Sequence, residues 1–104
     1  MAEFKPVAHV DRIPFEEGVM VELNGKQIAV FHTEYGFYAT DNTCPHAGGS
    51  LSEGFLSETV IACPRHSAHF DVTTGKLVSV FPATVDVACY QIKVEDDYIW
   101  VEVP

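Results

Sequence analysis

Apolar and polar residues alternate over short stretches through the first part of the chain. Apolar side chains alternate at 19, 21 and 23, and again at Ile28 and Val30 with Phe31 on the opposite face, which predicts two strands. Asn24-Gly25 between them supplies the positive backbone angles of a two-residue hairpin turn. A second turn at 35–36 leads into a third predicted strand at 37–40. The first forty residues are therefore predicted to form an antiparallel meander.

The remainder of the chain continues in strands. The stretch 41–57 is rich in glycine and serine and is predicted to be a loop. Strand character returns in five later segments: 59–63, 70–72, 76–80, 85–95 and 98–103. Of these, 85–95 is long enough to bend or to be shared between two sheets, and Asp96-Asp97 joins it to the last. No window predicts an amphipathic helix of ten or more residues, so we expect an all-β sandwich or small barrel.

Length limits what the protein can do alone. A chain of 104 residues with 47% hydrophobic content fits one compact domain with one core. This length leaves no room for a separate nucleotide-binding domain or a large substrate pocket. Any catalysis must then come from a bound cofactor or a partner protein, which favours a carrier or a binding module.

Charge narrows the choice of partners. The chain has 15 Asp plus Glu against 6 Lys plus Arg, which gives a formal net charge of −9. This charge repels phosphate backbones and anionic lipid headgroups, so neither nucleic acid nor a membrane surface is expected as a partner. A basic protein partner would be steered towards it.

The amino-terminal residues and the cysteines indicate the compartment. Residues 1–10 contain no apolar run long enough for a signal-peptide core or a membrane span, so we expect a cytoplasmic protein. Three cysteines are an odd number, and cytosolic thiols are normally kept reduced. Metal ligation is therefore a better prediction than a disulfide scaffold.

Two short clusters combine cysteine with histidine, namely Cys44-Pro45-His46 and Cys63-Pro64-Arg65-His66. A lone Cys is usually a small buried hydrophobe, and a lone His is usually a surface or hydrogen-bonded residue. Two matched clusters in two predicted loops are a different pattern. If the loops lie side by side, their four side chains converge on one point, so we predict a metal site.

The distribution of the ligands indicates which metal. Structural zinc sites of the Cys2His2 type usually keep the two Cys together and the two His together. Here each loop contains one of each. This mixed arrangement suits two metal atoms, with Cys44 and Cys63 on one iron and His46 and His66 on the other, as in a [2Fe-2S] cluster with two histidine ligands.

The motifs resemble one known family. The segments CPHAGG at 44–49 and CPRHSAHFDVTTG at 63–75 resemble the two cluster loops of Rieske proteins, and the closing YQIKVEDDYIWVEV resembles the end of stand-alone Rieske ferredoxins. The resemblance covers essentially the whole chain. It implies a single Rieske domain over 1–104: an antiparallel β-sandwich or barrel with a small cluster-binding subdomain of two hairpin loops at about 43–70.

The resemblance also implies a function. Ferredoxins of this kind serve bacterial multicomponent dioxygenases that hydroxylate aromatic rings. They carry single electrons from an NADH-dependent flavin reductase to a terminal Rieske non-haem iron oxygenase. We therefore expect one [2Fe-2S] cluster, no catalysis by the chain itself, and transient contacts with the reductase and the oxygenase near His46 and His66.

Two departures from related sequences, and one further proline, bear on the cluster. Respiratory Rieske proteins carry an extra cysteine in each loop, and these two form a disulfide; the matching positions here are Gly49 and Arg65. This difference favours the low end of the range of roughly −150 to +300 mV known for such centres. Ser67 stands where the family usually has Gly. Pro82 either resembles the proline loop that packs over the cluster or simply ends a strand.

Two other functional classes remain open. The chain could be a small Rieske subunit of another redox enzyme, such as an assimilatory nitrite reductase. A structural zinc module that binds protein partners is the other alternative. The presence of iron and of visible absorption distinguishes the redox proteins from the zinc module.

The remaining polar and aromatic candidates have weaker roles. Arg65 and His69 flank the predicted ligands and either contact a partner or are simply solvated. Cys89 is predicted to pack in the core as a free thiol. His9 and His32 are predicted to be surface or strand residues. Core positions on strands are predicted for four aromatic residues: Phe31, Phe37, Tyr90 and Trp100.

Overall fold

The computed structural model describes residues 3–44, 48–64, 68–78 and 86–102. The described residues form ten strands and two short 3-10 helices. The strands are β1 (Phe4–His9), β2 (Gly18–Leu23), β3 (Lys26–Thr33), β4 (Gly36–Asp41), β5 (Phe55–Ser57), β6 (Val60–Ala62), β7 (His69–Asp71), β8 (Cys89–Tyr90), β9 (Ile92–Glu95) and β10 (Tyr98–Glu102). The 3-10 helices are Val10–Arg12 and Leu51–Glu53. The predicted all-β class is confirmed.

The predicted meander is present as β2, β3 and β4. β2 pairs with β3 from Gly18↔Phe31 to Leu23↔Lys26, and the turn residues Asn24 and Gly25 have φ of 53° and 79°. Both angles are positive, as a primed two-residue turn requires, because that turn matches the right-handed twist of the flanking strands. The predicted hairpin at Asn24-Gly25 is therefore confirmed.

The described part of the segment 85–95 contributes strands to two sheets, which is one of the two arrangements predicted for it. β8 adds to the edge of the meander through Ala39↔Tyr90 and Thr40↔Cys89, while β9 pairs with β10 in another sheet. β10 is central in that second sheet, whose order is β1-β10-β9. The turn at Asp96-Asp97 is also confirmed, since both residues have positive φ.

A third sheet consists of β5, β6 and β7 in that order. All its pairs are antiparallel, with Leu56 opposite Ile61 and Ile61 opposite Phe70. Leu77 extends it by an isolated bridge to Phe70. Cys63 directly follows β6 of this sheet, and Cys44 belongs to the same hydrophobic core as Leu56, Ile61 and Phe70.

Strand β3 lies between two cores. Ile28 and Val30 point into one core, and Ala29 and Phe31 point into the other; all four are 0% exposed. Side chains alternate between the two faces of a strand, so a run buried on both faces identifies a strand covered on both sides. One core fills the space against β9 and β10, and the second lies beneath the small sheet.

Several expectations were wrong in detail. β1 was not predicted, and β5 lies inside the segment predicted as a loop. The predicted strand at 76–80 is limited to a bridge at Leu77, and residues 79–80 lie outside the described residues.

Cys89, predicted in the core, is exposed. It lies on a strand of only two residues at the edge of the sheet, where little covers it. The aromatic predictions are mixed: Phe31 is fully buried, whereas Trp100 is half-buried and Lys93 lies 5.5 Å from the centre of its ring.

Candidate metal centre

Both cysteines of the predicted site lie at the edge of the second core. Cys44 is 1% exposed and Cys63 is 4% exposed, and both belong to the same cluster of buried residues. The cluster also contains Phe31 from β3 and Phe70 from β7. The fold therefore brings together two thiols that are far apart in the sequence.

The first cysteine loop is closed by backbone hydrogen bonds. The Cys44 N–H donates to the Gly49 carbonyl at 2.8 Å, and the Gly48 N–H donates to the Cys44 carbonyl at 2.9 Å. Outside this pair, Thr43 and Ser50 form an antiparallel bridge. Gly48 has φ of +74°, in the region that favours glycine, so the tight closure explains a glycine at this position.

The second loop is closed in a similar way. The Cys63 N–H donates to the Ala68 carbonyl at 3.0 Å, and the neighbouring pair Ala62↔His69 belongs to the ladder of β6 and β7. Cys63 thus lies one residue beyond the end of β6. The ladder of β6 and β7 ends at this loop and thereby holds the backbone of Cys63 in a defined position.

Asn42 anchors the first loop to the meander, a role that the sequence analysis missed. Its N–H donates to the Gln27 carbonyl at 3.1 Å, and its carbonyl accepts from the Leu51 N–H at 2.7 Å. Its side-chain Oδ1 accepts from the Ser52 N–H at 3.0 Å. Asn42 is only 2% exposed. A buried amide with both backbone groups and its side chain engaged holds the two ends of the loop together.

Asp41, the last residue of β4, directly precedes Asn42 and has two polar partners. The Tyr90 hydroxyl donates to Asp41, and the Lys26 ammonium lies 3.6 Å from the same carboxylate. Burial raises the pKa of Tyr90, and the hydrogen bond to Asp41 and the negative charge of Asp41 raise it further. Tyr90 therefore stays neutral at physiological pH and ties β8 to the strand that leads into the first loop.

The predicted histidine ligands, His46 and His66, lie outside the described residues, as do Arg65, Ser67 and Pro82. Within the described ranges no group of three or more His, Cys, Asp or Glu residues forms a metal site. All three cysteines are described, and none takes part in a disulfide.

The described donors suit an iron-sulfur group. Thiolates are the usual protein ligands of such clusters, and both cysteines here have shielded side chains and hydrogen-bonded backbone N–H groups. Gly49, at one of the two positions where a respiratory Rieske protein has a disulfide cysteine, is buried and accepts the hydrogen bond from Cys44. His69 lies on β7, half-buried beside this centre.

No helix in the described part of the chain is long and apolar enough to cross a membrane. Outside the cysteine loops, the structure contains a cavity of about 270 Å³ lined by polar and charged residues. Its lining residues are Gly25, Lys26, Gln27, Asp41 and Thr43.

Comparison with known proteins gives consistent results. A family model described as a Rieske-like [2Fe-2S] domain matches residues 3–102. The chain is 44% identical over 89 residues to the ferredoxin component of naphthalene 1,2-dioxygenase/salicylate 5-hydroxylase systems of a Ralstonia species, with 86% of this chain and 85% of the relative covered.

Solved structures agree with the sequence relatives. The ferredoxin of carbazole 1,9a-dioxygenase from Nocardioides aromaticivorans IC177 superposes with a TM-score of 0.91 at 27% identity, covering 97% of this chain and 98% of the other. A chain from a complex of reduced oxygenase and oxidized ferredoxin in carbazole 1,9a-dioxygenase gives 0.87 at 33% identity, with 95% and 92% covered.

A chain from Mycobacterium tuberculosis described as a putative NADH-dependent nitrite reductase small subunit has the same fold, with a TM-score of 0.87, at 22% identity; 100% of this chain and 97% of that chain are covered. At that identity the match shows the fold alone. The family model spans nearly the whole chain, and the relatives cover most of it. The chain therefore belongs to the Rieske-like [2Fe-2S] domain family, and its cofactor is a [2Fe-2S] cluster.

Proposed function

We propose that this protein is a one-electron carrier that takes electrons from an NADH-dependent flavin reductase and delivers them to a terminal Rieske non-haem iron oxygenase. The observation that carries the proposal is that Cys44 and Cys63 lie in the same hydrophobic core. The chain that contains them is 44% identical to a dioxygenase ferredoxin component over 86% of its length. The relatives named as ferredoxins are electron-transfer components rather than enzymes.

The ligand set of this proposal is Cys44, His46, Cys63 and His66. The two cysteines bind one iron and the two histidines bind the other, as the mixed clusters in the sequence predict. Support comes from the two closed loops, whose backbone hydrogen bonds hold Cys44 and Cys63 in place. When bound, the cluster stores and releases one electron, and neutral imidazoles in place of two thiolates raise its potential.

The chain's own residues contribute position and shielding. Phe31 and Phe70, both 0% exposed, pack in the hydrophobic core that contains Cys44 and Cys63, and they exclude water from this side of the metal centre. A shielded cluster with a rigid surrounding needs little rearrangement between its two oxidation states. The protein thus acts as a scaffold, and the redox chemistry belongs to the cofactor.

In this proposal the aromatic substrate binds to the oxygenase rather than to this chain. The transient contacts with reductase and oxygenase are proposed to lie near His46 and His66, and the proposed location of the protein is cytoplasmic.

The single Rieske domain of residues 1–104 divides in this proposal into a cluster-binding part at about 43–70 and a base. The small sheet of β5, β6 and β7 falls largely within the first part. The other two sheets, together with the termini, form the base.

Reconstitution tests the proposal. The anaerobically purified protein is added to the reductase and terminal oxygenase of a naphthalene or carbazole dioxygenase system, and substrate-dependent NADH consumption is measured. We expect visible absorption, a rhombic EPR signal with average g below two after reduction, and turnover that depends on the added ferredoxin. A colourless protein with one zinc per chain contradicts the redox assignment. A cluster-loaded protein that supports neither oxygenase contradicts the carrier role.

Ligand substitutions provide a separate check. Cys44→Ala is expected to give an apoprotein that folds poorly, since the loop loses its tie. Cys89→Ala serves as the matched control because Cys89 is exposed and lies outside both loops. Full iron and full colour in Cys44→Ala would show that the ligand assignment is wrong.

A further inference from the structure

The small sheet next to the cysteines has two different faces. Leu56, Ile61 and Phe70 lie side by side on β5, β6 and β7, and they are 6%, 0% and 0% exposed. Successive side chains along a strand point to opposite faces. The residues next to these three on each strand must therefore point away from the core.

Those outward residues form one row across the sheet. Phe55 pairs with Ala62, and Ala62 pairs with His69. The Val78 N–H donates to the His69 carbonyl at 2.8 Å, which brings Val78 alongside as the fourth member. We call this set, Phe55, Ala62, His69 and Val78, the outer row. With strands about 4.8 Å apart, it extends for about 15 Å.

The two ends of the outer row are apolar and accessible. Phe55 is 76% exposed, the highest value for a large hydrophobic residue in the described part of the chain, and Val78 is 51% exposed. A well-ordered Phe on a strand that leaves most of its ring in water contributes little to the core. Exposed aromatic residues on rigid elements are instead typical anchors of protein interfaces.

The outer row lies beside the proposed cluster site. Ala62 immediately precedes Cys63, and His69 immediately follows Ala68, whose carbonyl accepts the hydrogen bond from Cys63. Every member of the row is thus on the same edge of the sheet as the second cysteine loop. A protein bound against this row approaches the cluster without covering the base.

Carboxylates flank the row. Glu53 is exposed two residues before Phe55, and Asp86 accepts a hydrogen bond from the Leu77 N–H at 2.8 Å, next to Val78. Lys76 is the basic residue in the described part of this sheet region. With a formal net charge of −9 for the whole chain, the field around the row is negative.

We infer that the outer row is the docking surface for the terminal oxygenase, and that Phe55 is its anchor. The complementary surface has an apolar pocket for the Phe55 ring, bordered by Lys or Arg side chains that face Glu53 and Asp86. This inference rests on the proposed electron-carrier function. Four side chains form only a small patch, which suits the limited interfaces of transient redox complexes.

Removal of the anchor tests the inference. Binding of the oxidized, cluster-loaded protein to the terminal oxygenase that passed the turnover test is measured by calorimetry, for wild type and for Phe55→Ala. We expect the Kd to rise by about tenfold, as for truncation of an exposed aromatic anchor. Unchanged cluster absorption in the variant shows that the fold and the cofactor are intact.

A matched control is available on the same chain. Tyr35 is 68% exposed but lies in the turn between β3 and β4, away from the cysteine loops. Tyr35→Ala removes an aromatic ring of similar exposure and is expected to leave the Kd unchanged. Glu53→Gln is expected to weaken binding at low salt and to reduce the loss of affinity that added salt causes.

The outcomes separate this inference from the carrier function. A higher Kd for Phe55→Ala than for Tyr35→Ala supports the docking surface, whether or not reduction by the reductase is also affected. A Kd for Phe55→Ala within twofold of wild type overturns it, including the case in which only reduction by the reductase is slowed. Neither result alters the carrier function, which wild-type turnover alone decides.

Discussion

Asn42 gives the sharpest test of how the first cysteine loop is held. Its Oδ1 accepts from the Ser52 N–H at 3.0 Å, and the residue is 2% exposed. Asn42→Leu keeps the approximate size of the side chain but removes this acceptor, together with the 3.5 Å contact between the Asn42 side-chain amide and Gln27 Oε1. The half-buried Ser52 N–H then loses the hydrogen-bond partner that the structure gives it.

The size of the effect follows from that loss. Leaving a buried donor unsatisfied costs about 1–3 kcal/mol, so we take about 2 kcal/mol for the closed loop. At room temperature this changes the ratio of open to closed loop by about 30-fold. Local opening exposes the cluster, so the change should be visible without unfolding of the base.

Chelator capture of iron measures this opening. The cluster-loaded protein is incubated anaerobically with excess chelator, and bleaching of the visible absorption is followed. When the loop recloses faster than iron is captured, the rate tracks the open population. We expect bleaching of Asn42→Leu to be about 30-fold faster than that of wild type.

Ser52→Ala is the control for Asn42→Leu, because it shortens the partner residue but keeps the backbone N–H that makes the bond. Its bleaching rate should equal that of wild type. Two results refute the reasoning: a rate for Asn42→Leu within threefold of wild type, or an equal acceleration in Ser52→Ala. The second result would assign the effect to packing rather than to the hydrogen bond.

Two further predictions concern the fold around the site. Gly75→Ala places a Cβ 2.1 Å from the Val87 carbonyl oxygen at φ of +80°, whereas Gly25 has a similar φ of +79° with nothing within 4 Å of the added Cβ. Thermal unfolding should show a loss of stability of about 1 kcal/mol for Gly25→Ala and clearly more for Gly75→Ala. Equal losses would contradict the steric argument. Burial and Asp41 raise the pKa of Tyr90 above its unfolded value of 10.0. The contribution of Tyr90 to the free energy of unfolding is therefore fully present below pH 10 and is lost as the pH rises beyond it. Tyr90→Phe should flatten this loss in urea unfolding measured against pH, and an unchanged profile would refute the assignment.

Local turn chemistry explains which parts of the fold could be predicted from the sequence. The turns at Asn24-Gly25 and Asp96-Asp97 require positive φ, and the residue types reveal this without knowledge of the rest of the chain. The same holds for the alternation in β2 and for the short apolar run at 28–31 in β3. Both Cys-His clusters are also local patterns, so the cysteine loops were predicted together with the family.

Features that depend on distant partners were missed. β1 is stabilised by β10, with Phe4 opposite Glu102 at the other end of the chain, and nothing near Phe4 in the sequence indicates this pairing. Cys89 has an apolar context but lies on an edge strand, so its exposure depends on which strands surround it. Asn42 directly follows β4 and could have been recognised as a polar residue two positions before Cys44, but its burial could not.

The position of β3 connects the base to the cysteine loops. Its side chains Val30 and Phe31 are neighbours in the chain, yet Val30 packs in the core against β10 and Phe31 packs in the core that contains Cys44. Because one strand carries both side chains, a shift of β3 in its ladder with β2 and β4 would disturb both cores at once. Strands buried on both faces are among the last elements to open. The cysteine loops are therefore attached to the most protected part of the fold, while the exposed outer row beside them remains available to a partner.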